Sequence, residues 1–351
     1  MKTYLPFEIK YSPVQKLALI SFENCPETFY RVLELQYIDG EPYGTGYRVI
    51  AYRNDNYVDV YDDKALNFME DEKFDVVENG LHKHVQTDMK NVLFSKKDNK
   101  QVLSFEFSDI ENRLIKLHIE ETSDKRTCPM NMLAPIGMGT RRPNYLPVFF
   151  MYEFDFIRRN DTVKSCNIAG NEIMLDTFPL PMGGQPRIYT RYSNECELFE
   201  FANTDFDVLK EVELDDNNTY RDDNVEYIFE NGEALQKIII HFKENDVQIQ
   251  FNPSLNLKKN GKGEIRILPR EQMGYLQGTF EVQVLEETKL TMNMKGGWKP
   301  DPNSFVTKML LNKKSIFCNW SKKYQYESVI NWDMKSITAD WINYNLEDSK
   351  K

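Results

Sequence analysis

The chain has 351 residues, 41% of them hydrophobic and 28% charged, and its 44 basic and 55 acidic side chains give a formal net charge of -11. That composition belongs to a folded chain long enough for two domains, not to a disordered tail, and its acidic balance argues against nucleic acid as the partner, because tracking a phosphate backbone needs a basic surface. Cys25, Cys128, Cys166, Cys196 and Cys318 are scattered and show no CxxC spacing, the amino terminus lacks an apolar signal core, and no apolar run is long enough to cross a membrane. The expectation is a cytoplasmic protein with no membrane span, no disulfide framework and no zinc ribbon.

Taken in chain order, period-two alternation dominates. GEPYGTGYRVIAYR (40–53) leads into NYVDVYD (56–62), followed by LSFEFSD (103–109), RLIKLHIEE (113–121) and FMYEFDFI (150–157). GQPRIYTRY (184–192), DVQIQFN (246–252), EIRIL (264–268), GTFEVQV (278–284) and KLTMNM (289–294) continue the pattern. Alternation of this kind marks half-buried strands, and the short turn signals between them, such as RNDN, FENGE and KENDV, favour antiparallel hairpins. Two helices are expected. One covers SITADWINYNL, where Ile337, Trp341 and Tyr344 fall at i, i+4 and i+7 behind Ser336, and a shorter one covers PNSFVTKMLL after Asp301.

The stretches at 40–53 and 184–192 share a Gly, a Pro, an Arg, a β-branched residue and a Tyr in the same order. Arg48-Val49 matches Arg187-Ile188, and Tyr145-Leu146 with Phe150 matches Tyr275-Leu276 with Phe280. Matches in constant order suggest two related β units, 1–165 and 166–351, each closing as a barrel or folding as a sandwich. Two such units followed by a terminal amphipathic helix resemble the tandem lipocalin-like proteins that include carotenoid 1,2-hydratases. The resemblance is one of architecture and carries no residue correspondence. It implies an apolar or amphipathic, lipid- or terpenoid-like small molecule bound in a barrel or between the units, and acid-catalysed hydration, cyclisation or isomerisation.

Site candidates come from residue chemistry. The echoed stretches offer Tyr47, Arg48 and Tyr52, then Arg187, Tyr189, Arg191 and Tyr192, since arginine presents a planar fork to a carboxylate and tyrosine an amphipathic wall. Trp298 in KGGWKPDP shapes a pocket rim or closes a barrel end. Asp59, flanked by Tyr57 and Tyr61, is the carboxylate best placed to be enclosed and so to act as an acid, while Glu153 and Asp155 point to water beside the apolar face of FMYEFDFI. His82 and His84, two apart on a strand, would share a face; they read as a hydrogen-bonded pair, and no metal or cofactor is expected. GMGT (137–140) and MGGQ (182–185) read as turns. Two other functions fit the composition. One is a carbohydrate-active or carbohydrate-binding β-sandwich using exposed rings, and the other an interaction module whose units are filled by their own side chains.

Overall fold

The computed structural model describes residues 1–23, 29–68, 79–125, 129–136, 145–204, 207–301, 322 and 324–343. Wherever the sequence alternates it forms strand, and among the described residues there is no α-helix. The chain divides into two units, each discontinuous in sequence. Unit 1 comprises Met1–Ser12, Met132–Phe150 and Glu197–Lys351, and unit 2 comprises Pro13–Asn131 and Met151–Cys196.

Unit 1 opens with β1 (Lys2–Leu5) and β2 (Glu8–Ser12). Unit 2 then takes β3 (Val14–Ser21), β4 (Tyr30–Gly40), β5 (Gly44–Arg53), β6 (Tyr57–Asp63), β7 (Gly80–Thr87), β8 (Lys90–Lys97), β9 (Lys100–Ser108) and β10 (Leu114–Glu121). After β11 (Met130–Leu133) and β12 (Tyr145–Arg158), which straddle the division, β13 (Thr162–Ile168), β14 (Asn171–Glu172), β15 (Thr177–Met182) and β16 (Gln185–Ser193) complete it. The remaining strands are β17 (Glu195–Ala202), β18 (Lys210–Glu213), β19 (Thr219–Asp222), β20 (Val225–Glu230), β21 (Ala234–His241), β22 (Asp246–Leu255), β23 (Gly261–Leu268), β24 (Tyr275–Val284), β25 (Thr288–Lys299), β26 (Tyr324–Asn331) and β27 (Ser336–Asn343).

In unit 1, β19 to β27 form a nine-stranded antiparallel meander in which each strand pairs with the next, while β1 pairs with β18. Its buried rings include Phe7, Phe201, Phe251, Phe280, Tyr326 and Trp341, with Phe7 4.5 Å from Phe201. The stretch expected to be a terminal helix is β27, paired in register with β26, where Trp341 stands opposite Tyr326. Spacing of i and i+4 places residues on one face of a strand as well as of a helix, and Ile337, Trp341 and Asn343 all turn inward. Tyr344 and the second expected helix lie outside the described residues, as do GMGT, Cys25, Cys128 and Cys318.

Unit 2 is built from two sheets. One runs β12–β16–β3–β4–β5–β6–β7, with β7 parallel to β6, and the other runs β14–β13–β10–β9–β8. Ala18, Leu33, Leu35, Val49 and Tyr61 of the first and Phe94, Leu103, Phe105, Leu117 and Cys166 of the second belong to one apolar cluster, so side chains fill the space between the sheets. Burial pushes the Cys166 thiol up to about 12. Inward-facing Glu121 is closed off by Arg158, whose Nε and Nη2 donate to it at 3.0 and 2.9 Å, with both side chains essentially inaccessible.

Two expectations change here. The echoed stretches are β5 and β16, two strands of one sheet in unit 2 separated by β3 and β4. Asp155 does not point to water: it is 1% exposed, because β12 is covered on both faces. Glu153 does, at a left-handed φ of 50°, and pairs with Lys96 at 2.7 Å. MGGQ is a turn as expected, with Gly183 and Gly184 both at positive φ between β15 and β16.

Candidate functional site

The polar chemistry of unit 2 gathers on β6 and β7. Along β6, Tyr61 faces the core between the sheets, and Asp59 shares its side; Val58 and Val60 join Ile50 in a small apolar cluster on the opposite face, the side that Asp62 takes. Only Tyr57 at the start of the strand is exposed, at 48%. Parallel pairing brings β7 alongside, and a register shift between Val58 and Asp59 skips His82. That bulge puts His82 on the side of Asp59 and His84 on the side of Asp62. The two histidines therefore do not share a face. Among the described residues no group of three or more His, Cys, Asp and Glu is placed to hold a metal ion.

On the core side, Asp59 is fully buried and its Oδ1 lies 2.7 Å from His82 Nδ1, while the His82 side chain is 39% exposed. Arg53, at the end of β5, stands 2.7 Å from the same Nδ1 and 3.4 Å from Asp59 Oδ2. One ring nitrogen cannot donate to a carboxylate and accept from a guanidinium together. The charge on Asp59 favours Nδ1–H, which directs Arg53 to Asp59 Oδ2 and to Asp55, whose carboxylate it meets at 2.7 Å. That hydrogen bond, against the opposing effect of burial, raises Arg53 and lowers Asp55, so both stay charged. Nε2 of His82 has no partner among the described residues.

Behind Asp59, the Tyr30 hydroxyl lies 3.4 Å from Asp59 Oδ2, 2.9 Å from the Tyr61 hydroxyl and 3.2 Å from Asp109 Oδ2. Burial drives the Tyr30 and Tyr61 phenols well above their ordinary values, so both remain protonated. Asp109 closes the β9–β10 turn by accepting from the backbone of Glu111 and Arg113 and from Arg113 Nε at 2.8 Å. Phe29 lies under both guanidiniums, 4.4 Å from that of Arg53 and 4.7 Å from that of Arg113.

On the other face, Arg48 Nε and Nη2 donate to Asp62 at 2.6 and 2.9 Å, and His84 Nε2 meets the same carboxylate at 2.8 Å. Burial opposes the charge on Asp62, but the hydrogen bonds from Arg48 and His84 outweigh it and hold the carboxyl below its usual range. Nearby, Glu34 accepts from Tyr52 and from Gln36, both at 2.6 Å. Its burial outweighs those bonds, and its carboxyl rises.

Of the echoed candidates, Arg48 and Tyr52 therefore belong to this second face. Tyr47 packs against the core and against Tyr37 at 5.2 Å. Arg187 is buried, donating to the Phe156 carbonyl at 2.7 Å, and Tyr192 lies in the core. Arg191 stacks on Tyr189 at 4.7 Å. Trp298, in unit 1, is buried with its indole N–H donated to the Met273 carbonyl, so it packs a strand end. A small crevice in unit 1 is lined by Tyr4, Leu235, Leu255, Leu257, Lys258 and Trp332, away from any of these candidates in sequence.

Tyr30, Arg53, Asp109 and Arg113 are the cluster members that sequence reasoning missed. Alternation marked the strands around Arg53, Asp109 and Arg113 but not β4, which carries Tyr30; neighbouring strands of one sheet bring Tyr30 and Arg53 to Asp59, and the packing of the second sheet brings Asp109 and Arg113. No family model, curated protein or solved structure matches the chain.

Proposed function

We propose that unit 2 binds an amphipathic small molecule at its rim and moves a proton on it through His82. The observation that carries this is the 2.7 Å contact between a fully buried Asp59 carboxylate and the Nδ1 of a partly exposed imidazole. Asp59 fixes the tautomer and leaves the Nε2 lone pair as the base. Nε2 takes a proton from the ligand, the resulting imidazolium is stabilised by Asp59, and the same proton returns to a neighbouring atom. That sequence is an isomerisation and balances without a cofactor.

The lipocalin-like reading puts the ligand inside a barrel. In unit 2 the space between the sheets is occupied by Phe94, Leu103, Phe105 and their neighbours, which favours the rim instead. A carbohydrate site needs free rings, whereas Phe156, Phe178 and Tyr189 stack on one another, with Phe156 and Phe178 4.3 Å apart. The packed core also supports a second reading, an interaction module without a small-molecule site.

The test is native mass spectrometry of gently purified protein, before and after incubation with a mixture of lipids and terpenoids, followed by transfer of the complex to deuterated buffer and then extraction of the ligand. We expect a reproducible bound mass and deuterium wash-in to the ligand, reduced by about 10²-fold or more in His82→Gln. An absent bound mass, or wash-in unchanged in that variant, overturns the proposal, and the first of these moves the conclusion to the interaction module.

A further inference from the structure

We infer that Tyr30 is a positioning residue for His82, its single hydroxyl proton being shared between the carboxylates of Asp59 and Asp109. This inference rests on the proton-transfer reading of the site.

The reasoning is a count of donors and acceptors. Around the Tyr30 oxygen stand Asp59 Oδ2 at 3.4 Å, Asp109 Oδ2 at 3.2 Å and the Tyr61 hydroxyl at 2.9 Å. Two phenolic protons face two buried carboxylates. Tyr61 also receives the Ile110 amide at 3.4 Å, so its own proton is best directed to the Tyr30 oxygen. Tyr30 is then free to donate, and it has one proton for two acceptors. If Tyr61 accepted instead, both carboxylates would lose a donor in a buried site, which is the costlier arrangement.

The two acceptors are not equally supplied. Asp109 already receives two backbone amides and Arg113, while Asp59 has the Arg53 contact at 3.4 Å and His82. The charged groups facing this chain are thus Arg53 from the end of β5, Asp55 from the β5–β6 turn, His82 from β7, and Asp109, Glu111 and Arg113 from the β9–β10 turn. When Tyr30 donates to Asp59 it withdraws charge from the oxygen pair that holds His82, and weakens the Nδ1–H···Oδ1 bond. When it donates to Asp109, that bond strengthens, as a developing imidazolium requires. The hydroxyl therefore sets how firmly Asp59 grips the base.

The experiment uses the full chain with 15N-labelled histidine and follows the His82 Nδ1–H proton by NMR, alongside thermal unfolding. Tyr30→Phe removes the competing donor, and the His82 resonance is expected to move downfield. Tyr61→Phe removes the polarising contact to Tyr30, together with the acceptor of the Ile110 amide, and is expected to give a smaller move in the same direction. If both variants lower the melting temperature while the resonance stays in place, Tyr30 is a packing residue and the inference is overturned. The readout needs no ligand. Failure of the proton-transfer reading would show separately, as absent deuterium wash-in in the wild-type protein with the resonance still responding to Tyr30→Phe.

Discussion

Two histidine–aspartate pairs sit on the same two strands, each around a fully buried carboxylate, yet their imidazoles and arginines are held differently. Asp59–His82 faces the rim, with its imidazole 39% exposed, and its arginine is shared between Asp55 and Asp59. Asp62–His84 is enclosed, with a 3% exposed imidazole packed 4.9 Å from Phe68 and an arginine that donates two hydrogen bonds to the Asp62 carboxylate. A single bulge separates them. The first arrangement leaves a nitrogen available for chemistry, while the second holds its carboxylate between Arg48 and His84 inside the fold.

Stability should therefore separate the pairs first. Asp62→Ala strands the buried Arg48 guanidinium and is expected to cost about 3–5 kcal/mol in urea unfolding, against about 1 kcal/mol for His82→Gln, which keeps a hydrogen-bonding side chain at the rim. Equal losses would erase the distinction. In the wash-in assay the order reverses: Asp59→Asn, which no longer fixes the His82 tautomer, is expected to lose about 10²-fold or more, while His84→Gln, where folded, keeps the wild-type rate.

Acid titration sharpens the comparison within the enclosed face. The folded-state value of Asp62 is depressed, so its contribution is present above the unfolded value and is lost as pH falls through the folded one. Glu34 behaves oppositely: its folded value is raised, so its contribution is complete below the unfolded value and is lost as pH rises through the folded one. Unfolding midpoints measured across the acid range should show Asp62→Asn flattening the fall toward low pH. Glu34→Gln should remove an opposing slope, each of at most about 1.4 kcal/mol per pH unit. Slopes of the same sign in the two variants would contradict the assignment.

Much of the fold could be read from the sequence and little of the site. NYVDVYD, RLIKLHIEE and GTFEVQV became β6, β10 and β24 because alternation is a local property that needs no partner to be visible. SITADWINYNL misled because its apolar spacing satisfies two periods at once, and pairing with β26 decided between them. Asp59 stood out through its neighbours, although the hydroxyl that reaches it belongs to Tyr30 on another strand, and that of Tyr61 meets Tyr30. The histidine pair was visible, but its division between faces depends on a bulge that no spacing announces. Asp155 was placed in water because alternation gives a strand two faces without saying whether both are covered.

The smallest effect tests how loosely the rim is built. A Cβ on Gly80 would lie 2.9 Å from Tyr57 Cε1 and 3.1 Å from Cδ1, so the ring rests almost on the bare backbone two residues before His82. The contact is with the far part of a side chain that is 48% exposed, and Gly80 has no left-handed φ, so the ring can swing outward without backbone strain. Gly80→Ala is accordingly expected to change stability by no more than about 0.5 kcal/mol, in contrast with the losses on the enclosed face. Its effect should appear in ligand retention instead, as a few-fold weaker bound mass, because the exposed Tyr57 ring at the start of β6 is displaced. A loss of stability comparable to that of Asp62→Ala would mean that the rim is as tightly packed as the interior, and that the exposed pair owes its geometry to the fold alone.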